Sequence, residues 1–304
     1  MRYSVKLLAD SFATTTEVRL TTLEIVLPRF LLAELNTHRM FSRNSASSRA
    51  KKPEDVIQQV LDHPFVPTMN KRVKGMGVGD PLSEKDAKAA LAQWLAARDA
   101  AVAAAQTLVY LDCDKSRINR LLEPFMWHTA IVSATEWDNF FGLRDHPAAQ
   151  PEFQIIASMM QAALNNCTPN ELSSKHWHLP LITEKERIST RLDPERAKMI
   201  SAGRCARVSY DTHENFETHD ASIGRAEILM GNGHWSPFEH VARPWTYDEA
   251  EQRAQVKDTY IAECQMQGVL FYPHKLDQFN FEGNFRGWKQ MRKEIPHESN
   301  FALM

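Results

Sequence analysis

The chain lacks the raw material for several common site architectures. Glycine numbers only 11 in 304 residues, about half the usual ~7%, which leaves little for glycine-rich phosphate loops. Its one cluster, Gly75-Met76-Gly77-Val78-Gly79-Asp80, runs into Pro81 where a phosphate loop needs Lys and Ser or Thr, and no apolar strand precedes it. A flexible loop is expected there. The four cysteines, Cys113, Cys167, Cys205 and Cys264, include no C-x-x-C pair. That excludes a zinc ribbon and a disulfide framework and leaves four reduced thiols. The longest apolar stretch, Leu23 to Leu35, is broken by Glu24, Arg29 and Glu34, so no segment approaches the ~20 clean residues of a membrane span. The opening MRYSVKLLADSF has neither the apolar core nor the cleavage site of a leader, and a cytoplasmic location is expected. Charge is balanced as well, with 36 basic and 38 acidic residues and a net charge of −2. No global field draws such a chain to nucleic acid or to an anionic membrane, so any anion site must be local.

What remains is ordinary globular material, 43% hydrophobic and 24% charged, and enough of it to bury a full core. Residues 18–27 are β-branched and partly alternating and end at Pro28, so a strand feeds a helix over Pro28 to Phe41 that places Leu31, Leu35 and His38 on one stripe. The Ser/Asn-rich run Ser42 to Ser48 then reads as a loop. Ser83 with Asp86 opens a long helix with Leu91, Trp94, Leu95, Ala101, Val102, Ala105 and Leu108 in a 3.6-residue period. Pro151 opens another, with Phe153, Ile156, Met160 and Leu164 inward. Asp193-Pro194 caps a third, and Tyr247 to Gln267 before Gly268 makes a fourth. Gly268 to Tyr272 reads as a strand. The fold class is α+β, a mixed or antiparallel sheet flanked by long helices.

Residues 36–52, NTHRMFSRNSASSRAKK, carry five positive charges and no acid: Arg39, Arg43, Arg49, Lys51 and Lys52, interleaved with Ser42, Asn44, Ser45, Ser47 and Ser48. As a charge run alone this is a solvated loop. Its density of hydroxyl and amide groups, and the helix expected to hold it, favour an anion site, because arginine forks give paired charge-assisted bonds to two phosphate oxygens. A nucleotide suits such a site. An RNA- or DNA-binding module using residues 39–52 is the alternative of another class. The net charge and the absence of interleaved aromatics beyond Phe41 count against it. A degenerate, non-catalytic scaffold is a third possibility.

The segment resembles the signature of the flavin-dependent thymidylate synthases (the ThyX family), R-H-R-x-x-S-x-N-E-x-S-x-R-Y. Here it reads Thr37-His38-Arg39-x-x-Ser42-x-Asn44-Ser45-x-Ser47-x-Arg49-Ala50 and matches six of nine fixed positions in register. Thr37, Ser45 and Ala50 stand where the family has Arg, Glu and Tyr. A second block, Ser133 to Arg144 followed by Ala149-Gln150-Pro151-Glu152, is similar to N-x-R-x-x-x-N-F-x-x-L-R and A-Q-W-E at Asn139, Phe140, Leu143, Arg144, Gln150 and Glu152, with Thr135 replacing an arginine. A third, Ala206-Arg207-Val208-Ser209-Tyr210 and His234-Trp235-Ser236-Pro237-Phe238-Glu239-His240, is similar to A-R-V-S-[FY] and H-x-[ST]-P-F-E-H. In the family this third block comes first, so the chain reads as permuted. Permutation is tolerated where termini lie close together at the surface.

The resemblance implies reductive methylation of dUMP at C5 to dTMP, with methylenetetrahydrofolate as one-carbon donor, FAD as cofactor and NADPH as reductant. No enzyme cysteine attacks the pyrimidine in this chemistry, and no cysteine here lies in a charged motif that would activate it. The resemblance assigns Arg144 to the uracil carbonyl, where a guanidinium stabilises developing enolate-like charge. It assigns Ser47, Arg49 and Arg120 to the nucleotide as well. His38, Arg39, Ser42, Asn44 and Asn139 fall to the flavin, and His234, Ser236 and Glu239 to the flavin or folate pocket. Arg43, or the block Arg286, Lys289, Arg292 and Lys293, would replace the cations missing at Thr37 and Thr135; a solvated helix face is an equal reading of that block. A related substrate, UMP or a deoxycytidine nucleotide, or a hydroxymethyl product, is an alternative within the class. The expected assembly is a homotetramer of one interlocked catalytic domain over 1–304, with the arginine signature and L-R helix in 1–180 and the ARVSY and SPFEH blocks in 181–304. The remaining histidine groups, His176 with His178 and His213 with His219, lack a third ligand at metal spacing and read as loop and surface residues, so no metal is expected.

Overall fold

The computed structural model describes residues 2–75, 77–188, 193–208, 218–268, 276–296 and 298. A five-stranded sheet organises it. Strands β1 (Ser4–Ala13), β2 (Arg19–Pro28), β3 (Ser42–Ser45), β4 (Trp127–Ala134) and β5 (Asn170–Leu172) lie in the order β3-β4-β2-β1-β5. All neighbours are antiparallel except β1 and β5, which run parallel. The expected α+β class with a mixed sheet is what the chain adopts.

Each central strand presents two different faces, and the alternation of its side chains decides what covers each one. On one face Leu23, Ile25 and Leu27 of β2 and Ala130, Val132 and Ala134 of β4 form a core with Phe153, Ile156, Ala157, Met160 and Leu164. Those five belong to helix α6 (Pro151–Asn165), opened by Pro151 as its sequence predicts. The preceding helix, α5 (Asp138–Arg144), adds Phe140 and Phe141. On the other face Ile131 meets Leu181, Cys205 and Val208. All eight residues of β4 are buried in consequence.

The remaining helices, in chain order, are α1 (Leu32–Leu35), α2 (Pro53–Asp62), α3 (Glu84–Tyr110), α4 (Lys115–Leu122), α7 (Glu184–Ile188), α8 (Pro194–Arg207), α9 (His219–Gly231) and α10 (Tyr247–Met266). The caps read from sequence are present: Ser83 accepts from the Asp86 amide and Asp193 from the Arg196 amide. Thr246 and Glu249 form a full capping box at α10. The last strands are β6 (Ala242–Pro244), β7 (Phe281–Glu282), β8 (Phe285–Arg286) and β9 (Trp288–Gln290), with β6 pairing β9.

Two expectations are corrected. The helix expected over Pro28 to Phe41 is a 3-10 turn at Arg29–Leu31 followed by the single turn α1. Pro28 belongs to β2, paired with Trp127, and Thr37 ends the helix by donating its hydroxyl to the Glu34 carbonyl (2.7 Å). Leu31, Leu35 and His38 are nevertheless all buried. The loop expected at 42–48 begins as strand β3, because pairing with the buried β4 overrides the weak strand preference of Ser-Arg-Asn-Ser. The strand expected at Gly268 to Tyr272 falls, after Gly268, outside the described residues.

His178 is a further correction. It is fully buried, not superficial. Its ring bridges the Ser11 and Thr22 hydroxyls (2.9 and 2.8 Å); Thr22 meets Ser133 (2.5 Å), and Ser133 meets His240 Nδ1 (2.8 Å). Three strands thus offer hydroxyls to two imidazoles of the later chain, which satisfies polar groups that burial would otherwise penalise. His240 Nε2 alone finds no partner among the described residues.

Candidate functional site

The basic segment is held from behind. Arg29 donates to the Ala46 carbonyl (3.2 Å), and the buried Asn119 of α4 donates to the carbonyls of Ser48 (2.8 Å) and Lys51 (3.1 Å). A tight turn follows, in which the Ala50 amide donates to the Ser47 carbonyl (2.9 Å) and the Arg49 amide to Ser47 Oγ (3.3 Å). Ser47 and Arg49 are therefore exposed at the tip of a braced loop.

The later chain comes to the same place. Asn44 donates to the Cys205 carbonyl at the end of α8 (2.6 Å), and its amide oxygen accepts from Ser236 (3.3 Å). Gly233, left-handed at φ +68°, ends α9 and lets the chain reverse so that the His234 amide reaches the Leu229 carbonyl (2.8 Å). Together these elements enclose a cleft of about 900 Å³. Asn44, Ser45, Ser47, Arg49 and Ala50 form one wall; Ala206, His234, Ser236 and Pro237 form another. Helix α9 supplies the third with Ala221, Gly224, Arg225, Ile228 and Leu229. Among the described residues no carboxylate lines it. Two guanidiniums, hydroxyls and an apolar wall suit a ligand that is anionic at one part and flat and apolar at another. The volume lies within the usual range for small-molecule sites, roughly 300–1,000 Å³.

Among the residues expected at the site, Asn44, Ser47, Arg49, His234 and Ser236 line this cleft. The others lie elsewhere in the chain. Ser42 is buried, accepting from Gln290 (2.9 Å) and Asn284 (3.3 Å). Glu239 accepts from Arg292 (2.5 Å). Arg39, Asn139 and Arg120 are exposed, Arg120 on the outer side of α4. His38 and Arg144 form a separate pair, with Arg144 Nε donating to His38 Nε2 (3.0 Å). Ser209 and Tyr210 fall outside the described residues.

The cations expected to compensate for Thr37 and Thr135 are otherwise engaged. Arg43 turns inward and donates to the carbonyls of Leu35 (3.0 Å) and His38 (2.9 Å). It therefore does not extend a basic face along 39–52. Arg286 pairs with Glu136, Lys289 with Glu249, and Arg292 and Lys293 with Glu298. That block lies on β8, β9 and the turn after them, not on a helix face. The Arg286 amide donates to the Thr135 hydroxyl (3.0 Å), so the position where the family has an arginine here ties down the C-terminal chain.

Sequence reasoning passes over the α9 wall. In the sequence Arg225 belongs to no motif, and only its position just before the His234 block points to the site. Cys205 abuts the cleft through its backbone, but burial pushes its thiol far above the ordinary range, which disfavours it as a nucleophile. Among the described residues no cluster could hold a metal ion, and no helix is long and apolar enough to cross a membrane.

No curated protein matches the sequence. Among solved structures, the UMP/dUMP methylase PolB from Streptomyces cacaoi bound with 5-Br UMP aligns at 15% identity over 54% of this chain and 88% of that one, with a TM-score of 0.44. The same methylase bound with 5-Br dUMP aligns at 17% identity over 54% and 90%, with a TM-score of 0.45. The model of the family described as thymidylate synthase complementing protein matches residues 2–170, more than half the chain, taking in the arginine signature and the L-R helix and ending before the His234 block. By that match the chain belongs to the thymidylate synthase complementing protein family, a family of flavin-dependent methyltransferase-like enzymes.

Proposed function

We propose that this enzyme methylates C5 of the uracil ring of dUMP, taking the carbon from methylenetetrahydrofolate and reducing equivalents from NADPH through FAD. The observation that carries this reading is the convergence of Asn44, Ser47 and Arg49 with His234 and Ser236, residues nearly two hundred positions apart, around one cleft.

The residues present fit a flavin nucleotide. Arg225 and the hydroxyls of Ser45 and Ser236 would hold its phosphate, and Ala206, Ala221, Ile228 and Leu229 would cover an apolar ring. When bound, a reduced flavin supplies a hydride to the pyrimidine. The chain's own residues bind, orient and stabilise. Arg49 and Ser47 hold the nucleotide at the loop tip. Arg144 faces the uracil carbonyl and offsets the negative charge that grows as C5 becomes nucleophilic. Within one protomer Arg144 does not line the cleft, so the reading includes a homotetramer in which a neighbouring subunit presents Arg144 to it, with both segments of each chain acting as one catalytic domain.

Purified protein should be yellow, should bleach anaerobically with NADPH, and should form dTMP from dUMP and methylenetetrahydrofolate. Turnover of UMP or dCMP in preference to dUMP would reassign the substrate, which the loss of Glu at Ser45 and of Tyr at Ala50 within the cleft makes worth assaying. Colourless protein that makes no methylated nucleotide when supplied with FAD would overturn the reading.

A further inference from the structure

His38 is held on every side. Its ring lies between Phe41 (centroids 5.8 Å apart), Phe140 (5.0 Å) and Phe153 (6.4 Å), and only 7% of the residue is exposed. Its backbone is fixed as well: the amide donates to Leu35 (3.3 Å) and the carbonyl accepts from Phe41 (3.2 Å) and Arg43 (2.9 Å). A residue so enclosed has little surface left for a ligand.

What it does reach is Arg144. The Nε–H of Arg144 is a donor under all accessible conditions, so its 3.0 Å contact with His38 Nε2 requires a lone pair there. The imidazole is then neutral, with its proton on Nδ1. Burial and the cations Arg144 and Arg43 favour that form and bring the ring's pKa down to about 4. The Arg144 guanidinium also lies 4.8 Å over the Phe153 ring. These two contacts fix Nε and one face of the guanidinium, and Arg144 makes no other hydrogen bond among the described residues. Its two terminal amino groups are left as an open fork.

We infer that His38 is the positioning residue for Arg144: its Nε2 fixes the arginine's Nε so that the terminal fork is presented end-on to the pyrimidine. This rests on the assignment of Arg144 to the uracil carbonyl. An arginine side chain otherwise has many rotamers to lose, and freezing it beforehand removes that cost from the reaction. The inference moves His38 from the flavin to the arginine.

The test compares His38→Leu, which fills the aromatic box without an acceptor, with His38→Gln, whose Oε1 restores one. His38→Leu should keep bound flavin and lose kcat by roughly 10- to 100-fold, the range for removing an orienting partner, with KM changed less. His38→Gln should recover most of that loss. In the Arg144→Ala background, His38→Leu should cost nothing further, because both variants remove one function. Wild-type kcat in His38→Leu, a loss that multiplies with Arg144→Ala, or loss of flavin in step with activity would each overturn the inference. If Arg144→Ala itself kept full turnover, the assignment of Arg144 would fail instead. Should His38→Leu not fold, nitrogen NMR of the wild-type ring decides: a bare Nε2 with Nδ1 protonated at neutral pH supports the contact, and the opposite tautomer ends it.

Discussion

Mild acid should unfold this enzyme before its carboxylates titrate. His128, His178 and His240 are 3% exposed or less, and burial, aided by Arg29 at His128 and by Arg187 at His178, brings each pKa from 6.5 to about 3. The unfolded chain takes up protons at these rings as pH falls past 6.5, whereas the folded chain refuses them until about pH 3. Their contribution is complete above pH 6.5 and is lost below it. At about 1.4 kcal/mol per unit, going from about pH 7.5 to about pH 5 costs each ring about 2 kcal/mol and the three together about 6 kcal/mol. Domains commonly have only about 5–15 kcal/mol in total. The carboxylates held low by partners, Asp10 by Arg19 and Glu249 by Arg243, act in the same direction but only below their ordinary values of 3.8 and 4.5. Urea titrations followed by tryptophan fluorescence should therefore show the midpoint dropping steeply across this window. A midpoint unchanged between about pH 7.5 and about pH 5.5 would refute neutral burial of these rings.

Other perturbations separate the roles of individual residues. Arg49→Ala should weaken dUMP binding by about 1.5–3 kcal/mol, the value of a charge-assisted hydrogen bond, while flavin content is kept; calorimetric titration measures this. Gly203 lies where a Cβ would come 2.0 Å from the Ser222 carbonyl oxygen of α9. Gly203→Ala should push α9 outward, cost about 1–3 kcal/mol in denaturant melts and raise the nucleotide Kd. Trp288 is fully buried and donates to the Val18 carbonyl (3.1 Å), so Trp288→Ala should cost about 3–5 kcal/mol. Thr22→Val leaves His178 Nε2 without its hydroxyl and should lower stability by about 1–3 kcal/mol.

Where a residue's fate follows from near neighbours in the chain, it is legible in the sequence. The caps at Ser83 and Asp193, the inward stripe of α6 and the strand at β2 all follow from local pattern. Strand β3 is not legible, because its four polar residues acquire pairing only from β4, more than eighty positions away. His178 looks superficial for the same reason: the hydroxyls that satisfy it come from Ser11 and Thr22 on two other strands. Asn44, Ser47, Arg49, His234 and Ser236, which line the cleft, stand out in the sequence only through their resemblance to the family's motifs. The pairing of His38 with Arg144, 106 positions apart, arises only on folding, and spacing does not encode it. Arg225 carries no motif at all, and folding alone brings it to the cleft.

The two-sided burial of β4 has a consequence for biosynthesis. Its Ile131 and Ser133 leave the ribosome long before Leu181, Cys205 and His240, the groups that later shield them. At a translation speed of about 5–20 residues per second, some 5–20 s pass in which that flank of the nascent sheet is wetted by water alone. Holdase chaperones should recognise this interval, and messages truncated within it should yield insoluble halves.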